Sequence, residues 1–248
     1  MSFSERLRGG ELLSATWVKT PHIHVVEVLA LSQLDLLVLD AEHAPFGRQE
    51  LDACILAARA GGMPVLVRPA SSAHEHLLQA LDGGADGVIV PHVRSVGEAQ
   101  ELVRACHYVT GGRGFAGSTR AAAYTTLGMV KHHAAAKDIA VVAQIEDVEA
   151  LDEIEAIAQV EGIDALFIGR ADLTISLGET NSDAPQVVAA VERICAAGRA
   201  AGRTVGMFLA RPGDVPMWRE KGASLFVLQS DQDFLLKGAN TLSDLIKG

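Results

Sequence analysis

The stretch VLDAEHAPFG (38–47) places two carboxylates, Asp40 and Glu42, and an imidazole, His43, just past the end of an apolar run. An imidazole titrates near neutral pH and can act as a general acid or base, and a carboxylate beside it can orient the ring and stabilise its charged form. Other apolar runs end in a similar way. Arg68 closes PVLVR (64–68), Gln144 and Glu146 close IAVVAQIE (139–146), and Arg170 and Asp172 follow DALFIG (164–169). Glu146 and Asp172 follow adjacent runs, and such a pair suits a hard divalent cation whose shell is completed by water and substrate oxygens. Mg2+ or Mn2+ fits oxygen donors of this kind, with Co2+ as a further candidate. The plainer alternatives are a helix cap at Asp172 and a solvated strand end at Glu146. Arg68 can fork onto a substrate carboxylate or a developing oxyanion, or can be occupied by an ion pair with Asp40 or Glu42.

The elements that must position these groups can be read from the apolar pattern. Eight short runs occur: 12–18, 35–40, 64–68, 87–91, 139–146, 164–169, 204–210 and 224–229. They are rich in branched residues and do not alternate with polar ones, which is the mark of strands buried on both faces. Segments between them, such as RQELDACILAARAGG and VGEAQELVRACHYV, repeat apolar residues at helical spacing. Several of these end in glycine, as at Gly61, Gly83 and Gly202, just before the next run. Strand–helix alternation repeated eight times closes most simply into an α/β (β/α)8 TIM barrel of one domain, residues 1–248. An open doubly wound sheet is the alternative, but no G-x-G-x-x-G follows any run. Active sites of such barrels lie at the C-terminal strand ends, where Asp40, His43, Arg68, His92, Gln144, Glu146 and Asp172 gather. The remaining histidines fall on helical or loop patterns and are expected to be structural. The tail FLLKGANTLSDLIKG reads as a last amphipathic helix.

Composition narrows the partners. A net charge of −10 argues against nucleic acid. No apolar run approaches the ~18 residues of a membrane span. MSFSERLRGG lacks the apolar segment of a signal peptide, so a cytoplasmic protein is expected. Cys54, Cys106 and Cys195 have neither disulfide nor zinc spacing and read as buried free thiols. The connection between the fourth and fifth runs is long and contains GGRGFAGSTRAAAY, which keeps a phosphate-binding role open. The last two runs lack the glycine-rich turns that hold phosphate in many barrels. Of the lysines only Lys19 follows a strand, which disfavours Schiff-base chemistry.

A divalent cation, an arginine and a His43–Asp40 dyad together suit one reaction class. The cation chelates a 2-oxo acid, cation and Arg68 stabilise the enolate as a C–C bond breaks, and the base exchanges a proton with an aldehyde oxygen. This is a metal-dependent aldolase acting on small molecules. A citrate-lyase-like barrel acting on a CoA thioester is the alternative. A non-catalytic sensor of 2-oxo acids would need no proton-handling set.

These stretches also resemble a known family. LVLDAEHAP (37–45), VLVRP (65–69), LDGGADGVIVPHV (81–93), GGRGFAGSTRA (111–121), VVAQIED (141–147) and GIDALFIGRADLTISLG (162–178) are ordered and spaced as in the HpcH/HpaI class II pyruvate aldolases. The resemblance implies reversible cleavage of a 4-hydroxy-2-oxo acid to pyruvate and an aldehyde, in a homohexamer whose last helix is exchanged between subunits. It implies Glu146 and Asp172 as metal ligands and Arg68 as stabiliser of the enolate. It implies His43, paired with Asp40, as the acid/base group acting through water on the metal. Gln144 would lie beside the 2-oxo acid, and the backbone at Ala171 and Asp172 would receive its carboxylate. Arg170 stands where relatives usually carry proline, and His92 where an apolar residue is common. Arg170 is then either an extra anion contact or an exposed loop residue.

Overall fold

A computed structural model of the chain describes residues 1–247. Eight parallel strands close into a barrel in sequential order, the last pairing with the first. They are β1 (Leu13–Val18), β2 (Leu36–Asp40), β3 (Val65–Arg68), β4 (Gly87–Val90), β5 (Ala140–Ile145), β6 (Ala165–Ile168), β7 (Thr204–Leu209) and β8 (Leu225–Ser230). Each coincides with one apolar run of the sequence. The helices are α1 (Phe3–Arg8), α2 (Ile23–Ala30), α3 (Arg48–Ala60), α4 (His74–Asp82), α5 (Val96–Cys106), α6 (Met129–Ala135), α7 (Ile154–Gln159), α8 (Arg170–Ser176), α9 (Pro185–Ala200), α10 (Val215–Glu220) and α11 (Asp231–Lys247).

The pleat sorts each strand into two sets, because successive side chains point to opposite faces. Leu37, Leu39, Val65, Val67, Val141, Ala143, Leu166 and Ile168 point outward and pack against the helices. Ala15 and Trp17, Leu36 and Val38, Leu66, Ile89, Ala140 and Val142, Ala165 and Phe167, and Leu225 and Val227 fill the barrel interior. Phe3 and Leu7 of α1 join this inner set and plug the N-terminal end. Continuing each inward series by two residues leads from Val38 to Asp40, from Leu66 to Arg68, and from Val142 to Gln144 and Glu146. The same period of two that fills the barrel with hydrocarbon therefore loads its mouth with polar groups.

The long connection after β4 contains α5, α6 and an irregular segment between them. That segment lies on the flank of α3 and α4, where the Arg120 guanidinium donates to Asp52 Oδ1 and Oδ2 at 2.8 and 2.7 Å. The GGRG stretch does not border the cavity at the barrel mouth. All three cysteines are buried and free. Burial pushes the Cys54 and Cys195 thiols up to about 11 and that of Cys106 to about 12. No helix among the described residues is long and apolar enough to cross a membrane.

Candidate active site at the barrel mouth

A cavity of about 390 Å³ opens at the C-terminal strand ends. Trp17, His43, Arg68, Gln144, Ala171 and Asp172 are among the residues that line it. Glu146 does not line it but touches Gln144 and packs close to Gly169, which do.

Asp40 and Arg68 occupy partnered positions on β2 and β3, so both inward side chains meet at one level. Asp40 Oδ1 accepts from Arg68 Nε at 3.0 Å and Nη2 at 2.8 Å, and from the main-chain N–H of His43 at 3.1 Å. Lys19 Nζ lies 3.3 Å from Asp40 Oδ2. Burial alone would raise the Asp40 carboxyl, but Arg68, the His43 N–H and Lys19 outweigh it and hold the group below the usual carboxylate range. Arg68 is fixed further by Glu42 Oε2, 3.2 Å from Nη1, and by the Trp17 ring, whose centroid lies 4.1 Å from the guanidinium carbon. The ion pairs foreseen as the plain alternative for Arg68 thus exist, and the same side chain also borders the cavity.

His43 is placed differently from the ring–carboxylate dyad read from the sequence. Asp40 holds the His43 main chain, and the carboxylate near its ring is Glu42, with Oε2 3.6 Å from His43 Nε2. The physical reason is the turn after β2. Asp40 points into the barrel and caps the turn, while the His43 ring, about half exposed, leans over the cavity. Burial pushes the Glu42 carboxyl up, opposed by Arg68, His43 and His92 and reinforced by Glu146.

Glu146 is buried, and its Oε2 accepts from Gln144 Nε2. Gln144 Oε1 is buried with no hydrogen-bond partner. Gly169 lets this pair approach the next strand. A Cβ there would lie 2.8 Å from Glu146 Cβ and 3.3 Å from Gln144 Nε2, closer than packed atoms tolerate. Asp172 is exposed in the first turn of α8 and makes no capping bond, so the helix-cap alternative does not apply. Arg170 is not an exposed loop residue, and it borders the cavity. It is buried, donates to Asp183 Oδ1 at 2.8 Å and to the Ser182 carbonyl at 2.6 Å, and stacks over Trp218.

Two residues of this region carry more than the sequence disclosed. Trp17 packs on the face of Arg68, and its inward phase on β1 was the available signal. His92 has φ 58°, in the left-handed region that side chains other than glycine rarely adopt. From there its N–H donates to Glu146 Oε1 at 2.9 Å and its Nδ1 to Asp147 Oδ2 at 3.0 Å. Burial lowers its basicity, but Asp147, Glu146 and Glu42 together raise it above the ordinary imidazole value. No sequence signal foretold that conformation.

Comparison with known proteins bears on the family and the fold. A model of the family described as HpcH/HpaI aldolase/citrate lyase matches residues 13–237. The hydroxypyruvate/pyruvate aldolase of Pseudomonas aeruginosa is 33% identical, over 99% of this chain and 92% of its own length. The 4-hydroxy-2-oxo-heptane-1,7-dioate aldolase of Salmonella dublin is 31% identical, over 98% of this chain and 93% of its own. The crystal structure of an HpcH/HpaI aldolase/citrate lyase family protein from Burkholderia cenocepacia J2315 superposes with a TM-score of 0.94. It is 31% identical and covers 99% of this chain and 98% of that one. By sequence and by fold, this chain belongs to the HpcH/HpaI aldolase/citrate lyase family and is a carbon–carbon lyase.

Proposed function

We propose that the chain is a class II aldolase that reversibly cleaves a 4-hydroxy-2-oxo acid into pyruvate, or a related 2-oxo acid, and an aldehyde. The observation that carries this reading is the convergence of Arg68, His43, Gln144 and Asp172 on one cavity, with the buried Glu146 touching its wall at Gln144. Relatives named as pyruvate and 4-hydroxy-2-oxo acid aldolases support it.

The donor set fits a divalent cation held by Glu146 and Asp172. Glu146 is a buried carboxylate whose Oε2 meets only the neutral amide of Gln144, and Gln144 Oε1 lies next to it without a partner. These are hard oxygen donors, which suit Mg2+ or Mn2+. When bound, such a cation would polarise the 2-oxo group as a Lewis acid. The protein side chains perform the remaining steps. The first N–H groups of α8, at Ala171 and Asp172, have no intrahelical acceptor and can receive the substrate carboxylate. Gln144 lies beside that carboxylate and the 2-oxo group.

His43 takes the proton of the C4 hydroxyl. The C3–C4 bond then breaks, C4 becomes the aldehyde carbonyl, and the electron pair moves into the enolate whose oxygen is at C2. Arg68 donates to that oxygen as charge develops. A proton returned to C3 completes pyruvate. Asp40 keeps Arg68 at the angle this requires.

The exposed leucines of α11, Leu235, Leu236, Leu242 and Leu245, support the exchange of this helix between subunits of a homohexamer.

Chelation with EDTA should abolish both cleavage and exchange of the pyruvate C3 protons with deuterated solvent, read by proton NMR. Mg2+, Mn2+ or Co2+ should restore them. Full exchange in chelator would rule out the cation's role.

A further inference from the structure

The two oxygens of Glu146 face different neighbours. Oε2 is turned to Gln144 and to the space above Gly169 that leads to Asp172. Oε1 is turned away from them, toward His92, with the His92 N–H at 2.9 Å and Nδ1 at 3.4 Å. Past His92 stands Glu42, whose Oε1 lies 3.8 Å from His92 Nε2. One ligand atom each from Glu42, His92 and Glu146 can be chosen so that all lie within 4.8 Å of one another. Ligand atoms bound tetrahedrally to one ion at about 2.0–2.2 Å lie about 3.3–3.6 Å apart, so side-chain shifts of up to about 1 Å would close the cluster.

We propose that Glu42, His92 and Glu146 form a second cation site, back to back with the first through the Glu146 carboxylate, that takes a transition-metal dication such as Co2+, Ni2+ or Zn2+. Three features support it beyond proximity. Asp147 accepts from His92 Nδ1 at 3.0 Å, which fixes the tautomer and leaves the Nε2 lone pair facing Glu42. A carboxylate behind the ring is the usual support of a metal-ligating histidine. Next, the two Glu42 oxygens face different neighbours: Oε2 is turned to Arg68 Nη1 at 3.2 Å, while Oε1 faces His92 Nε2 at 3.8 Å, too far for a hydrogen bond, so that oxygen is not committed to the imidazole. Finally, the left-handed backbone at His92 aims the N–H and the ring of one residue at the same cluster of acids. The imidazole nitrogen sets the metal preference. Imidazole binds Co2+, Ni2+ and Zn2+ well, whereas Mg2+ keeps to oxygen donors. The competing reading is an imidazolium that merely braces three carboxylates and binds no ion.

The site shares only Glu146 with the cation of the proposed function, so the two can fail separately. Metal-stripped full-length protein is dialysed against Co2+ in a large excess of Mg2+, and retained cobalt is measured by emission spectrometry and by its visible absorption. The wild type should retain a stoichiometric equivalent of Co2+. His92→Asn, which tolerates the left-handed backbone, should lose it, while Asp172→Asn should keep it. Asp147→Asn should weaken retention about 10–100-fold. Equal retention in wild type and His92→Asn overturns the site, as does absence of retained cobalt in the wild type or its loss in Asp172→Asn alone. Circular dichroism checks that each variant is folded. Should His92→Asn not fold, unchanged retention in Asp147→Asn overturns the proposal.

Discussion

Both ends of the barrel carry acids and arginines, but they are wired differently. At the N-terminal end, Asp35, Asp86 and Asp164 stand immediately before even-numbered strands, and each accepts a main-chain N–H of the preceding strand. The acceptors and donors are Asp35 and Ser14 at 2.9 Å, Asp86 and Val65 at 2.9 Å, and Asp164 and Val141 at 2.8 Å. Arg6 and Arg8 add ion pairs to Asp35 and Asp164 at 2.7 and 2.6 Å. The oxygens named here are matched to donors within the fold, and the result is a set of staples between strands. At the mouth, Gln144 Oε1 is buried without a hydrogen bond, and Asp40 Oδ2 and Glu42 Oε2 meet only longer ion-pair contacts, to Lys19 at 3.3 Å and Arg68 at 3.2 Å. Buried polar atoms are costly unless they are paired, so unused acceptor capacity at one end only marks where the molecule is built to receive something.

That contrast can be broken at either end. Arg68→Ala should have the largest effect, because it strikes both functions. Loss of an oxyanion donor lowers kcat about 10²–10³-fold. The buried Asp40 charge left behind destabilises the fold by about 3–5 kcal/mol. Proton exchange at pyruvate C3 and a denaturant titration measure the two parts, and an unaltered exchange rate would remove Arg68 from the chemistry.

His43→Asn should separate the two functions. Its ring is half exposed, so stability should change by no more than about 0.5 kcal/mol. Cleavage of a 4-hydroxy-2-oxo acid should slow about 10²–10⁴-fold. Asp164→Asn at the other end should do the reverse. It should cost about 1–3 kcal/mol in the same titration, through a weakened acceptor for Val141 and Arg8, with kcat of the folded enzyme unchanged. A comparable loss of kcat would mean that the two ends are coupled.

The smallest effect concerns pH. Burial would raise the Asp35 carboxyl, but the Ser14 N–H, Arg6 and the Ser14 hydroxyl hold it below its usual value. A depressed carboxyl stabilises the fold fully above its unfolded value of about 3.9 and loses that contribution as pH falls through the lower folded value. The melting temperature of the wild type should therefore drop on acidification below about pH 4. Asp35→Asn should start lower at neutral pH and show a shallower acid limb. Parallel limbs would show that Asp35 is not a source of the acid lability.

Legibility followed the range of the interactions. All eight strands, and the ends at which polar groups gather, were readable because burial on both faces leaves unbroken apolar runs. The arrival of Asp40, Arg68, Gln144 and Glu146 at one rim follows from that pattern and a period of two. Three details were not readable. Arg170 could be read as an exposed loop residue, but it is buried between Asp183 and Trp218. Asp40 looked like a partner for the His43 ring, and instead binds the His43 main chain and Arg68. His92 gave no local sign of its left-handed backbone or of its place between Glu42 and Glu146.

The amino-acid sequence by itself determined the barrel and the set of groups at its mouth, since hydrophobic periodicity and strand polarity are local properties. Tertiary structure alone decided which of those groups are already satisfied by one another and which still have capacity to bind. A hydrogen bond is directional over about 3 Å, and its partner is chosen by the closure of strands far apart in the chain.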